Sequence, residues 1–190
     1  MPAAHWRRAC AVLCLLAGTG WTQAAPSLFS IEEPWTDEYG HGVKLEYWRG
    51  EVTFVAMEYS ACRFVCSVYW RRLVELQKAA DARAMKVQFV ILSIDPEHDS
   101  PALWRDYRKA RDLTRENWHF LTGTRPMTTR AAAFLGERWW FDEGHLMHDF
   151  RIARLDGAGR VAATMTTFAQ PVEALLDAPR DALTPPRQSP

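Results

Sequence analysis

The residue pattern predicts an α/β fold in which a central mixed β-sheet is flanked by helices. Three observations carry this expectation. The apolar runs at residues 52–57 and 87–94 have the length of strands buried on both faces. Between them, the segment 68–83 carries apolar residues at Leu73, Leu76, Ala80 and, at its edge, Ala84, with charges between them, as an amphipathic helix requires. Further on, residues 150–155 and 160–165 are joined by Asp156-Gly157-Ala158-Gly159, the pattern of a β-hairpin.

Taken in order, residues 26–50 read as an irregular lead-in with a short hairpin. It turns at Gly40-His41-Gly42, and Val43-Lys44-Leu45 alternates like an edge strand. Gly50 introduces the first buried strand. The second stops at Asp95-Pro96, because proline has no N–H for a central ladder. Ser100-Pro101 opens a helix to about residue 112, with serine as N-cap and proline in the first turn. Trp118-His119-Phe120-Leu121 is a short strand closed by Thr122-Gly123. A helix from about 126 to 135 is capped by Gly136. Residues 138–144 read as an aromatic loop, and a last helix covers about 171–176. The order β-α-β-α-β-α-β-β-α is a thioredoxin-like layout, assigned to residues 26–178. Residues 179–190 read as a flexible tail.

The 190 residues suffice for one well-packed domain. The hydrophobic content of 48% and charged content of 24% are those of an ordinary globular protein, and a formal net charge of zero gives no electrostatic reason to expect a nucleic-acid partner. Arg7-Arg8, the apolar stretch 9–17 and the small and polar residues through Ala25 read as an export signal over residues 1–25, or as an uncleaved anchor. The expected location is therefore the periplasm, with membrane association only if the leader is retained. Loss of that segment leaves 21 basic and 23 acidic residues, and only Cys62 and Cys66 of the four cysteines.

Cys62-Arg63-Phe64-Val65-Cys66 follows the first buried strand directly. A strand that delivers two thiols to the start of a helix is a place for redox chemistry or soft-metal binding. The i and i+4 positions share a helix face, and a helix N-terminus favours thiolates. A disulfide here would close only a tiny loop, so a purely structural bridge is the blander reading. Two thiolates make an incomplete metal site, and imidazole is the common third donor. His148, before the strand at 150–155, is the candidate. His145 is its rival, and His41, His98 and His119 are less suitably placed.

Four segments in this order make the reading specific: Tyr59-Ser60-Ala61-Cys62-Arg63-Phe64-Val65-Cys66, then Ser93-Ile94-Asp95-Pro96-Glu97-His98-Asp99-Ser100-Pro101, then Leu121-Thr122-Gly123-Thr124, then His148 ahead of the Leu155–Arg160 turn. Together they resemble the Sco (SCO1/SenC) family of copper chaperones and thiol-disulfide proteins, over about residues 27–166. The resemblance implies metal ligands at Cys62, Cys66 and His148, copper as Cu(I) with Cu(II) also compatible, and a copper-accepting client such as a cytochrome c oxidase subunit. It also implies a periplasmic thiol reductant as a second partner. Two features depart from the family pattern. Arg63 and Ser67 stand where proline usually follows each cysteine, and Met147 and Asp149 flank the histidine unusually.

Three other functions compete with the metallochaperone. A thiol-disulfide oxidoreductase would use Cys62 and Cys66 as catalytic residues, one thiolate attacking and the other resolving. A divergent adaptor would retain a weakened site. A peroxiredoxin-like peroxidase is disfavoured, because Val55 and Tyr59 stand where that family places proline and threonine. Asp95 and Asp99 read as strand-ending and helix-opening residues rather than as an acid/base pair. Trp139-Trp140-Phe141 is either core under a loop or a client-docking patch.

Overall fold

The computed structural model describes residues 25–61 and 66–179, the side chains of Cys66 and Ser67 excepted. Residues 1–24 of the expected leader, residues 62–65 and residues 180–190 lie outside the described residues. A minor pair, β1 (Trp35–Thr36) and β2 (Gly42–Val43), precedes the main sheet. Its strands are shorter than the sequence suggests: Leu45 turns inward and opens a 3-10 helix, Leu45–Trp48, so no edge strand runs through Lys44.

The main sheet contains β3 (Thr53–Glu58), β4 (Gln88–Ser93), β5 (Trp118–Leu121), β8 (Ile152–Leu155) and β9 (Val161–Met165), in the order β5-β4-β3-β8-β9. Strands β3, β4 and β5 are mutually parallel, whereas β8 and β9 are antiparallel additions. The mixed sheet expected from two buried runs and a hairpin is the one observed. All six β3 residues are buried, as a central strand covered on both faces must be.

Helices α1 (Cys66–Ala82) and α2 (Pro101–Ala110) cross between the parallel strands. Tyr69, Leu73, Leu76 and Ala80 of α1 pack with Phe54, Ala56, Phe89 and Trp104 on one sheet face. Burial contributes about 1.5–3 kcal/mol for each leucine. Ala84 does not continue this stripe: it takes a left-handed φ of 51° after α1 has ended. On the other face, Val55, Met57, Val90 and Leu92 pack against Met127, Ala131 and Leu135 of α3 (Arg125–Leu135) and the N-terminal segment. The expected caps are present: the Ser100 hydroxyl accepts from Leu103 N at 3.3 Å, and Gly136 closes α3 at φ 72°. A short α4 (Glu173–Leu176) packs on the α1 side.

The aromatic loop is the one sizeable correction. Residues 138–144 contribute to a further hairpin, β6 (Trp139–Asp142) paired with β7 (His145–His148). Glu143 and Gly144 have φ of 47° and 81°, and two positive φ values form the two-residue turn that suits strand twist. Trp139 is half-buried against the α3 side, whereas Trp140 and Phe141 are exposed.

Candidate metal centre

After β3 the chain passes through Tyr59, Ser60 and Ala61, and Cys66 is the first residue of α1. What fixes the loop's approach is Asp99, which is nearly buried. One carboxylate oxygen accepts from Ser60 N at 2.8 Å and from the Ser60 hydroxyl at 2.5 Å, and the other accepts from the Ser93 hydroxyl at 2.5 Å. Burial raises the Asp99 carboxyl above its ordinary range, and these bonds work against that. Asp99 thus ties the end of β4 to a residue two before Cys62. Asp95 receives the His98 ring at 2.8 Å. Both aspartates organise loops, in keeping with the reading that they are not an acid/base pair.

His148 ends β7 with its side chain almost wholly buried. Its Nδ1 lies 3.3 Å from Oε1 of Glu137, which is equally buried. Its ring centroid is 5.6 Å from that of Tyr69 and 6.2 Å from that of Tyr59. Tyr69 is one helical turn beyond Cys66, so the imidazole packs beside the turn that the second cysteine opens. Both tyrosines are pinned: Tyr59 donates to Leu146 O at 2.6 Å, and Tyr69 donates to Arg151 O. The other imidazole nitrogen, Nε2, is buried and has no hydrogen-bond partner among the described residues.

The electrostatics follow from burial. Burial raises the Glu137 carboxyl, and the His148 hydrogen bond opposes that rise. Burial pushes the His148 imidazole down, but the bond to Glu137 and the charges of Glu58 and Glu137 prevail and raise it. Glu58, the last residue of β3, is fully buried with neither carboxylate oxygen bonded among the described residues. Burial pushes its carboxyl up to about 8, against the nearby charges of His148 and Arg111.

The rival histidines are elsewhere. His145 lies three residues from His148 on the same strand, and that spacing turns it to the opposite side. It lines a cleft of about 350 Å³ with Ala61, His98 and Phe141. His41 is exposed beside Asp37, and His119 bonds Gln88 at 3.0 Å within the sheet. Among the described residues no three His, Cys, Asp or Glu side chains converge as a metal site. The two expected thiolate donors, Cys62 and the side chain of Cys66, lie outside the described residues. The donor chemistry fits: an imidazole whose Nδ1 is oriented by a carboxylate and whose Nε2 is buried and unbonded is a common form of metal-ligating histidine.

Glu58 and Glu137 escaped the sequence reading. Glu58 carried a legible signal, a single acid closing an otherwise apolar run just ahead of the dithiol. Glu137 carried none, since a carboxylate after a helix-capping glycine is ordinarily exposed.

The SCO1/SenC family model matches residues 26–178. A SCO1 protein homolog from Bacillus subtilis is 30% identical over 114 residues, a match spanning 59% of each chain. Solved structures give the same fold. BsSco, described as a member of the Sco family of cytochrome c oxidase assembly proteins with a disulfide switch, superposes with TM-score 0.67 and 24% identity, over 76% of this chain and 88% of its own. ScoI from Bradyrhizobium japonicum, solved with copper bound, superposes with TM-score 0.62 and 22% identity, over 76% and 94%.

Proposed function

We propose that this chain, which belongs to the SCO1/SenC family, is a periplasmic copper-binding assembly factor. In this reading it holds one copper on Cys62, Cys66 and His148 and passes it to a cuproenzyme such as cytochrome c oxidase. The observation that carries the reading is the state of His148. Its Nδ1 is held by Glu137, its Nε2 is buried without a hydrogen-bond partner among the described residues, and its ring packs on the first turn of the helix that Cys66 opens. Two thiolates and an imidazole form a soft site suited to Cu(I). The copper-bound relative supports copper as the cargo. The basic and apolar leader supports export, and no helix among the described residues is long and apolar enough to cross a membrane.

Thiol-disulfide exchange is the second reading, favoured by the place of Cys66 at a helix N-terminus. One thiolate attacks a client disulfide, the other displaces the client thiol, and the pair ends as a Cys62–Cys66 disulfide while the client gains two electrons and two protons. A periplasmic thiol reductant would regenerate the pair. The adaptor with a weakened site is what remains if neither activity is found.

Copper titration of the reduced protein, with metal and thiols counted on the same sample, tests the first reading. One copper per chain is expected. Cys62→Ser or Cys66→Ser abolishes stable binding, and His148→Ala weakens it about tenfold or more. Full affinity in His148→Ala with loss in His145→Ala overturns the ligand assignment. Exchange that persists in His148→Ala beside lost copper binding separates the two activities.

A further inference from the structure

The 3-10 helix Leu45–Trp48 buries its two ends, which lie three residues apart and so share one row of the helix. The residues between them face outward. Tyr47 is 77% exposed, the most exposed large aromatic or aliphatic side chain among the described residues. Its ring meets that of Trp48 edge-on, with centroids 5.8 Å apart, and Trp48 lies 5.0 Å from the His119 ring of β5. The result is an aromatic surface that is held by packing yet open on one side.

Two adjoining clefts share these three rings. One, of about 570 Å³, is also lined by Glu51 and Glu116. Glu51 stands two residues before β3, its N–H donating to Trp48 O at 3.0 Å; Glu116 stands two residues before β5, in the turn closed by Trp118 N and Arg115 O at 3.2 Å. Both acids are exposed, and neither carboxylate has a hydrogen bond or ion pair among the described residues. Among those residues no lysine or arginine lines this cleft. His119 supplies no charge near neutral pH, because burial, then the charge of Arg108, pushes its imidazole down to about 4. In the neighbouring cleft that Glu51 and Glu116 also line, Arg115 is paired with Asp81 at 2.6 Å, which leaves Lys86. The second aromatic cleft, of about 490 Å³, sets Lys44 against Asp37 and Glu46.

We infer that this double cleft is a docking site for an arginine-bearing extended segment of a partner protein. Charge complementarity selects the partner: two carboxylates without counter-ions beside aromatic rings suit a guanidinium, whose planar fork pairs with carboxylates and stacks on ring faces. One cleft takes the arginine, and the adjoining one takes the residues beside it. The place of the site fits a partner that stays bound while the domain works. Strands β3, β4 and β5 are parallel, so Glu51 and Glu116 mark the end where those strands start, whereas the dithiol segment follows the far end of β3. A segment held here leaves the cysteine-bearing end open. The inference stands apart from the copper reading.

The test is an NMR titration of the full reduced chain at low salt. The probe is an acetylated, amidated Gly-Pro-Arg-Gly-Arg-Gly peptide, compared with the same peptide carrying glutamine for arginine. The arginine peptide is expected to shift the Trp48 indole N–H and the backbone amides of Tyr47, Glu51 and Glu116, and to bind more weakly as salt is raised. Glu51→Gln combined with Glu116→Gln should cut affinity about fivefold or more, and Tyr47→Ala about threefold. All three side chains are exposed, so the variants should keep the fold, which the rest of the spectrum reports. No shift up to about 5 mM peptide overturns the inference. So does equal binding of the glutamine peptide, full affinity in the double glutamine variant, or a set of shifts centred on another part of the surface. Acetylarginine amide that binds as tightly as the peptide overturns the docking of a segment and leaves a pocket for a small organic cation.

Discussion

Glu137 meets the proposed site through the His148 ring it holds. With Nδ1 bonded to a carboxylate, Nε2 is the nitrogen left for a metal. Glu137→Ala should lower copper affinity by about 10–100-fold, the usual effect of removing such a partner, and Glu137→Gln should recover part of it. Chelator competition checks this, with the imidazole tautomer by NMR as a readout that a merely destabilised fold would not move. A second residue-scale prediction concerns His119, far from the site. Burial, then the charge of Arg108, pushes its imidazole down to about 4. Unfolded, it titrates near 6.5. The unfolded chain therefore binds the extra proton between those values, and stability is full above about pH 6.5 and falls as pH drops toward 4. The loss is about 3 kcal/mol at most. His119→Gln should flatten that acid limb in denaturant titrations; an unchanged limb assigns the loss to other groups. At this scale motif order singled out His148 as the candidate ligand. Glu58 left one local signal, an acid closing an apolar run; Glu137 left none, because its burial depends on how distant segments pack.

At the scale of elements, the chain leading to the dithiol is held at Ser60 by a residue from another element. Asp99 gathers Ser60 and Ser93, so the end of β3 and the loop after β4 share one anchor. Asp99→Ala orphans a backbone N–H and two hydroxyls and should cost about 1–3 kcal/mol. It should also speed hydrogen exchange at Ser60 more than at the centre of β4. Uniform exchange across both segments would mean that the anchor is not local. Most elements could be read in advance because their signals are local: continuous apolar runs for β3 and β4, Ser100-Pro101 for α2, Gly136 for the end of α3. The β6–β7 hairpin could not. Trp139-Trp140-Phe141 does not alternate, and Glu143-Gly144 is a weaker turn signal than asparagine or aspartate before glycine. The strand that carries His148 exists because Leu146 and Trp139 find apolar cover and Tyr59 bonds Leu146 O.

For the whole molecule, the sheet order brings three sequence-distant pieces to one end: the β3–α1 junction, the loop after β4 and the β6–β7 hairpin. Their order along the chain was readable; their convergence is a property of the folded sheet. At the proposed site, copper binding would be a stability term for the entire domain, since an unfolded chain cannot present Cys62, Cys66 and His148 together. A ligand that binds only the native state stabilises it by about 2.7 kcal/mol at 100 times Kd. For a chain of this size each kcal/mol moves Tm by roughly 2–4 °C. Reduced protein with Cu(I) buffered at that level should therefore melt roughly 5–11 °C higher than without it. Oxidation should close Cys62–Cys66 within one chain, with loss of two hydrogens by mass spectrometry and no dimer. That bond would consume both thiolates of the proposed site and leave only His148 of its three ligands. Oxidised protein compared with and without copper, so that the disulfide's own effect cancels, should show no shift. A full shift in the oxidised protein would place copper away from the dithiol, and no shift in the reduced protein would remove copper as the cargo of this fold.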